Sequence, residues 1–113
     1  MKVQHESSVI KEKVETDGAK NANIQWLIGP ADSPPNFALR RLTLGADGAT
    51  PFHKHDYEHE VFILSGTGIL FADGSEYELK PGVFALVDPG KMHQFKNTGE
   101  NELIFLCIIP IQK

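Results

Sequence analysis

Glycine and proline divide this chain into short apolar segments at regular intervals. Ten glycines and seven prolines separate segments that are rich in β-branched, aromatic and leucine residues and that recur about every 8–12 residues. No long stretch has the apolar periodicity of an amphipathic helix. The pattern predicts an all-β sandwich or barrel with strands in the segments 24–28, 37–44, 61–64, 69–72, 77–79, 83–87 and 103–109.

Turn signals indicate how the predicted strands are connected. Asp73-Gly74 stands between two of the segments, and glycine tolerates the positive φ that a tight hairpin turn needs. Pro81-Gly82 and Pro89-Gly90 indicate further turns. Residues 1–23 are polar, and residues 9–14 within them are expected to form either an edge strand or an arm that lies on a partner subunit.

Length, charge and cysteine content restrict the class of protein. A chain of this length is predicted to form one domain, residues 1–113. A net charge of −4 without a cluster of lysine or arginine argues against a nucleic-acid partner or an anionic membrane surface. The longest apolar run, residues 103–109, is far too short for a membrane span. The single cysteine and the lack of an apolar leader predict a cytoplasmic protein.

Four of the five histidines stand at two places in the chain. His53, His55 and His59 lie within HKHDYEH, and His93 lies within GKMHQF, whereas His5 stands alone in a polar segment. Residues two apart on a strand share a face, so His53 and His55 are expected to point the same way. Neutral imidazole is a good ligand for divalent transition metals, and several imidazoles on one β surface predict a metal site.

The spacing around these histidines resembles the two motifs of the cupin family. Residues 48–66, GATPFHKHDYEHEVFILSG, resemble the first motif, in which H-x-H is followed by a further ligand and a glycine. Residues 82–97, GVFALVDPGKMHQFKN, resemble the second motif, and the interval between the segments is similar to that of compact bacterial cupins. The resemblance implies a double-stranded β-helix, or jelly-roll, barrel that holds a metal through His53, His55, His59 and His93.

His59 stands where most metal-binding cupins carry glutamate, although the family has a four-histidine subgroup. The alternative is a shifted strand register that presents Glu58 or Glu60 to the metal. His59 is favoured because it alone keeps the family's interval to Gly66 and because adjacent residues on a strand cannot share a face. Tyr57 and Glu58 are expected to lie at a turn near the metal, where they could serve as an acid or a base, but solvated turn residues are the favoured interpretation.

A site with four neutral ligands is expected to attract anions, because the charge of the dication is not compensated. We expect one divalent ion per chain, with Mn or Fe favoured and Ni, Zn or Cu as alternatives. A six-coordinate ion held by four side chains keeps two open positions, which suit a bidentate oxygen chelator or a substrate beside O₂. The expected partner is therefore a small anionic or chelating molecule.

Further residues of the substrate pocket follow from the resemblance. The equivalent segments of four-histidine cupins place Arg40, Phe105 and Cys107 in the pocket, and Phe95 shares the face of His93. The alternative for Phe105 and Cys107 is ordinary packing in the core. The alternative for Arg40 is an ion pair on the surface. Cys107 is not expected to bind the metal, because a buried cysteine usually behaves as a small apolar residue.

Two classes of function remain open. The favoured class is an enzyme that acts on a small oxygenated molecule. It would be either a metal-dependent, dioxygenase-like oxidoreductase or a non-redox isomerase or lyase. The isomerase or lyase needs a general base, and the sequence reveals no obvious one. A metal-dependent binding module without turnover is the alternative. A homodimer is expected, since open sheet edges need cover and compact cupins commonly pair through their sheets. Trp26 is expected in the core or at an interface.

Overall fold

The computed structural model describes residues 1–112, so Lys113, the last residue of the predicted domain, lies outside the described residues. Two short 3-10 helices occur, Glu6–Ser8 and Pro30–Asp32. No helix among the described residues is long and apolar enough to cross a membrane. The strands are β1 (Glu12–Lys13), β2 (Lys20–Ile28), β3 (Phe37–Ala49), β4 (His59–Ser65), β5 (Gly68–Ala72), β6 (Ser75–Leu79), β7 (Phe84–Val87), β8 (His93–Asn97) and β9 (Leu103–Pro110).

The strands form one curled antiparallel sheet in which β3 joins two halves. The order is β6-β5-β8-β3-β9-β4-β7, with β2 paired to β3 and β1 paired to β2. The first part of β3, residues 37–44, pairs with β9, whereas Ala49 near its end pairs with Lys96 of β8. The all-β prediction is confirmed, and the two curled halves are the arrangement that a jelly-roll barrel requires.

Two turns follow the predicted chemistry. Asp73 and Gly74 join β5 to β6, both with positive φ (51° and 83°), so the predicted hairpin is confirmed. Gly66, which ends the first motif, also has a positive φ of 83°. A Cβ atom at Gly66 would overlap the carbonyl oxygen of Glu102. Glycine is therefore needed at this position both for its backbone conformation and for the close approach of the chain.

The core lies between the two halves of the sheet. Side chains alternate between buried and more exposed along β4, β8 and β9, as expected for strands with one inward face. Phe95 of β8 stacks on Phe105 of β9 with ring centroids 4.7 Å apart, which joins the halves. Asn97, at the end of the second motif, is buried, and its Nδ2 lies 2.9 Å from the carbonyl oxygens of Leu44 and Gly45. This motif residue therefore serves the fold.

The N-terminal segment packs on its own chain. Nε2 of Gln25 in β2 donates hydrogen bonds to the carbonyl oxygens of Glu6 (3.1 Å) and Val9 (3.0 Å). Within residues 9–14, Glu12–Lys13 form the two-residue β1, which pairs with β2 of the same chain. The interpretation of residues 9–14 as an arm that lies on a partner subunit stays a prediction.

Candidate metal centre

The fold brings the two histidine-containing motifs together at one end of the barrel. His53 forms an isolated antiparallel bridge with His93, the first residue of β8. One ligand nitrogen from each of His53, His55 and His93 can be chosen so that all three lie within 4.8 Å of one another. Nitrogens that share one ion at the usual distance of about 2.0–2.1 Å lie at most about 4.2 Å apart, so nitrogens within 4.8 Å of one another are close to the spacing that one ion needs. These three histidines therefore form a group that could hold a metal.

His59 lies beside this group but is not part of it by that distance criterion. It begins β4, is only 5% exposed, and its ring centroid lies 4.9 Å from that of His55 and 5.0 Å from that of His93. Its neighbours Glu58 and Glu60 are exposed. The strand register thus turns His59 inward and the two carboxylates away from the cluster.

The buried ring of His59 fits a fourth metal ligand. Its Nε2 has no hydrogen-bond partner among residues 1–112, and leaving a buried polar nitrogen unpaired costs about 1–3 kcal/mol. A metal ion in the histidine cluster would satisfy this nitrogen. Nδ1 of His93 lies 2.9 Å from the carbonyl oxygen of Lys91. Metal-binding histidines usually make such a contact with their second nitrogen, which orients the ring and leaves Nε2 for the ion.

A cavity of about 340 Å³ opens from the cluster into the barrel. It is lined by all four histidines, by residues 13–16 of the N-terminal segment, and by the four residues that the sequence assigned to a pocket, Arg40, Phe95, Phe105 and Cys107. A larger groove of about 720 Å³ lies between β6 and β7. Its walls contain none of the histidines among the described residues, so the smaller cavity is where the metal-ligating chemistry is concentrated.

Arg40 is a cation inside this cavity. Its Nη2 lies 2.8 Å from the sulfur of Cys107, and its guanidinium carbon lies 5.4 Å from the ring centroid of Trp26. The ion pairs among residues 1–112 involve Lys2, Arg41 and Lys91 but not Arg40. The surface ion pair considered for Arg40 is thus not present in the described part of the chain. Its buried Nε lacks a partner, which leaves one donor of the guanidinium unused.

Burial and the repulsion of neighbouring cations lower the pKa of His53, His55 and His59, which favours their neutral form. Burial lowers the pKa of His53 to about 4 and that of His59 to about 3, with neighbouring histidines and Arg40 acting in the same direction. The pKa of His55 is also lowered, mainly by burial. Neutral imidazole is the form that binds metals. A cation that favours an anion in the cavity is Arg40.

Tyr57 and Trp26 are among the residues that line the cavity without having been predicted to do so. Tyr57 is half-buried and stacks on His55 with ring centroids 4.7 Å apart and planes 6° from parallel, so its interpretation as a solvated turn residue is wrong. The signal was present in the sequence, because Tyr57 continues the every-second-residue spacing of His53 and His55. Trp26 also lines the cavity. It lies opposite Arg40 in the pairing of β2 with β3, which the sequence does not reveal.

Comparison with protein families gives one match over most of the barrel. The family described as "Cupin domain" (Cupin_2) matches residues 40–109, more than half of the chain. This range contains both histidine motifs and extends into β9.

Two curated relatives match shorter parts of the chain. An oxalate-binding protein of Thermotoga maritima is 34% identical over 70 residues, which are 61% of this chain and 58% of that protein. An uncharacterized HTH-type transcriptional regulator of Bacillus subtilis is 34% identical over 50% of this chain and 23% of its own length. The match therefore spans less than two thirds of each of these relatives.

Solved structures match a larger share of the chain than the two curated relatives do. The polyketide cyclase RemF from Streptomyces resistomycificus is similar over 99% of this chain and 80% of that chain, with a TM-score of 0.92 and 31% identity. A predicted oxalate decarboxylase from Thermotoga maritima is similar over 98% of this chain and 100% of that chain, with a TM-score of 0.86 and 27% identity.

Proposed function

The chain belongs to the Cupin_2 family of cupin domains, and on this premise we propose that it binds one divalent metal ion at the four clustered histidines, His53, His55, His59 and His93. Support comes from the three ligand nitrogens within 4.8 Å of one another and from the orphaned Nε2 of His59. Mn or Fe is favoured, and Ni, Zn and Cu are accepted by the same donor set.

The ligand that we propose for this site is a small anionic oxygen chelator, such as a dicarboxylate or an enolised diketone. The single observation that carries the proposal is the presence of Arg40 and the histidine cluster in one cavity of about 340 Å³. A divalent ion would supply Lewis acidity and open coordination positions for oxygen ligands. Arg40 would donate to the far end of the anion, and the apolar rings of Phe95 and Phe105 would exclude water from it.

The relatives agree with this ligand class. One is named an oxalate-binding protein and another a predicted oxalate decarboxylase, and oxalate is a small bidentate dicarboxylate. The decisive experiment is calorimetric titration of oxalate into metal-loaded and metal-free protein, after the metal content has been measured by mass spectrometry. Saturable binding that requires metal supports the proposal. Equal binding with and without metal refutes it.

Two kinds of turnover are compatible with such a site. We retain a dioxygenase-like oxidation as the favoured reaction of a bound chelator, and oxygen uptake with a panel of diketones, flavonols, thiols and hydroxy acids tests it. The similarity to a polyketide cyclase favours a non-redox reaction on an enolisable substrate as the second candidate. Product formation from the same panel without oxygen would identify that reaction. Metal-dependent binding without product in either assay would identify a binding module.

We further propose that two copies of the chain pair through the outer face of β4, β7 and β9. Phe62 of β4 and Phe84 of β7 are cross-strand partners and are 46% and 78% exposed, and Leu86 beside them is 62% exposed. Ile108 of β9 extends the same face, opposite Glu60. These exposed apolar side chains lie on both sides of Glu60, and a cluster of this kind is a typical interaction surface. Cytoplasmic location and a single domain over residues 1–113 stay predictions.

A further inference from the structure

The two ring nitrogens of His59 stand in different environments. Nδ1 lies 3.3 Å from the sulfur of Cys107, whereas Nε2 is buried without a hydrogen-bond partner in the described part of the chain. A neutral imidazole carries one N–H and one lone pair. The position of that single hydrogen therefore decides whether Nε2 has a lone pair to offer to a metal ion.

Arg40 indicates the direction of the hydrogen bond between His59 and Cys107. Its Nη2 lies 2.8 Å from the same sulfur, and a guanidinium group can only donate, so the sulfur already serves as an acceptor. If the thiol donated to Nδ1, Nε2 would carry the ring hydrogen and would have no lone pair for a metal ion. The contact with Arg40 therefore favours a hydrogen bond from Nδ1–H of His59 to the sulfur, which leaves the lone pair of Nε2 free.

His93 shows how the arrangement at His59 differs from the usual one. The Nδ1 atom of His93 contacts a backbone carbonyl oxygen, that of Lys91, at 2.9 Å. A backbone acceptor keeps its place whatever the side chain at that position. His59 depends instead on a side chain, and the acceptor is sulfur rather than the oxygen that metal-binding histidines usually contact.

We infer that Cys107 is a positioning residue whose sulfur accepts a hydrogen bond from Nδ1–H of His59 and thereby directs Nε2 to the metal. Cys107 forms no bond to the metal itself. The inference rests on the proposed function for the presence of the ion, but the position of the hydrogen on His59 is a property of the metal-free protein. The two can therefore be tested separately.

The first test reads the tautomer directly. Nitrogen–proton correlation spectra of metal-free protein with ¹⁵N-labelled histidine distinguish Nδ1–H from Nε2–H, and His59→Gln assigns the signals. We expect the Nδ1–H form in the wild type and in Cys107→Ser, because a hydroxyl oxygen can accept the same hydrogen bond. In Cys107→Val, which keeps similar bulk without an acceptor, we expect the Nε2–H form to become populated.

The second test measures affinity for cobalt(II). We expect a loss of about 10–100-fold in Cys107→Val, the usual effect of removing the hydrogen-bond partner of a metal-ligating histidine, and a smaller loss in Cys107→Ser. Ile109→Val is the matched control, because Ile109 is buried two residues further along β9. We expect its cobalt affinity to equal that of the wild type.

Two results would overturn the inference: an Nε2–H tautomer of His59 in the wild type, or a cobalt affinity of Cys107→Val equal to that of the wild type. A wild-type protein that binds no cobalt would instead refute the proposed metal site. In that case the tautomer spectra still decide whether Cys107 sets the position of the hydrogen on His59.

Discussion

His53 and His93 bind each other through their backbones. The N–H of His53 donates to the carbonyl oxygen of His93 at 3.1 Å, and the N–H of His93 donates to the carbonyl oxygen of His53 at 2.9 Å. These two hydrogen bonds do not depend on the imidazole rings. The contact between the two motifs is therefore made by the main chain, and the side chains can be replaced without removing it.

Replacing His93 or His55 by alanine should remove most of the bound metal while the protein stays folded. Each ring contributes a nitrogen to the three-histidine group. Removing only the hydrogen-bond partner of a metal ligand lowers metal affinity by about 10–100-fold, and we expect a larger loss when the ligand itself is removed. Mass spectrometry of the purified variants gives the metal content, and circular dichroism checks the fold. His5→Ala, an exposed histidine outside the cluster, should retain full occupancy. A stoichiometric metal content in either cluster variant would refute the site.

Replacing His59 by glutamate should keep the metal and weaken anion binding. A carboxylate can still reach the ion and lowers the net charge of the site by one unit. At an effective dielectric constant of about 20 this change amounts to roughly 1–3 kcal/mol, or about 5–150-fold in the affinity for oxalate. Titration of the cobalt or copper form, followed by absorption spectroscopy, measures that affinity.

The matched control for His59→Glu is Glu60→Gln, which changes the charge of the next residue on the outer face of β4. It should leave oxalate affinity unchanged. Equal affinities in His59→Glu and the wild type would mean that His59 does not contact the metal.

The histidine cluster was predicted mainly from the resemblance to the two cupin motifs, to which the strand period adds only that His53 and His55 should share a face. The family's interval to Gly66 favoured His59 over the adjacent Glu58 and Glu60. The glycine at position 66 was part of the motif, and its positive φ gives the physical reason for it.

The contacts around the cluster depend instead on strand pairing that periodicity does not supply. Trp26 lies over Arg40 because β2 pairs with β3 in a register interrupted by irregularities near both ends of β2. Cys107 lies opposite Arg40 in the pairing of β3 with β9, and opposite Val61 in the pairing of β9 with β4. No single strand contains the information that places Arg40, Cys107 and His59 in one chain of contacts.

Acid should destabilise the metal-free protein through histidines whose pKa is lowered in the folded state. The pKa of His53 is lowered from 6.5 to about 4, so below pH 6.5 the unfolded chain takes up a proton that the folded chain refuses. The contribution of His53 to the free energy of unfolding should therefore be constant above pH 6.5 and should lower that free energy as the pH falls towards 4. Urea unfolding at several pH values measures this dependence.

The variant His53→Asn isolates the contribution of that histidine, because carboxylates titrate in part of the same range. Its free energy of unfolding should fall less steeply between pH 6.5 and 4 than that of the wild type. Bound metal should be released nearer pH 4 than pH 6.5 for the same reason, since protons compete poorly for imidazoles whose pKa is lowered. Release that is complete at pH 6 would contradict the lowered pKa.

Disrupting the apolar outer face should produce monomers. Phe84 is 78% exposed in the single chain, and a pair of copies would bury it. Wild-type protein at micromolar concentration should sediment at twice the chain mass of 12.5 kDa, and Phe84→Glu should sediment as a single chain. Phe52→Glu, an exposed aromatic outside this face, is the control and should remain a dimer. A monomeric wild type would contradict the proposed pairing.

Arg40 should contribute to anion binding but not to metal binding. Its guanidinium shares the cavity with the histidines and has a buried Nε without a partner. A hydrogen bond to a charged group contributes about 1.5–3 kcal/mol. Arg40→Gln should therefore weaken oxalate binding to the metal-loaded protein by about 10–150-fold while one metal ion per chain is retained. The adjacent Arg41 provides the control, because it faces the other side of β3, where Glu6 lies 2.9 Å away. Arg41→Gln should bind oxalate as the wild type does. If both variants lost the same affinity, the effect would come from the overall charge of the protein, and Arg40 would have no direct contact with the anion.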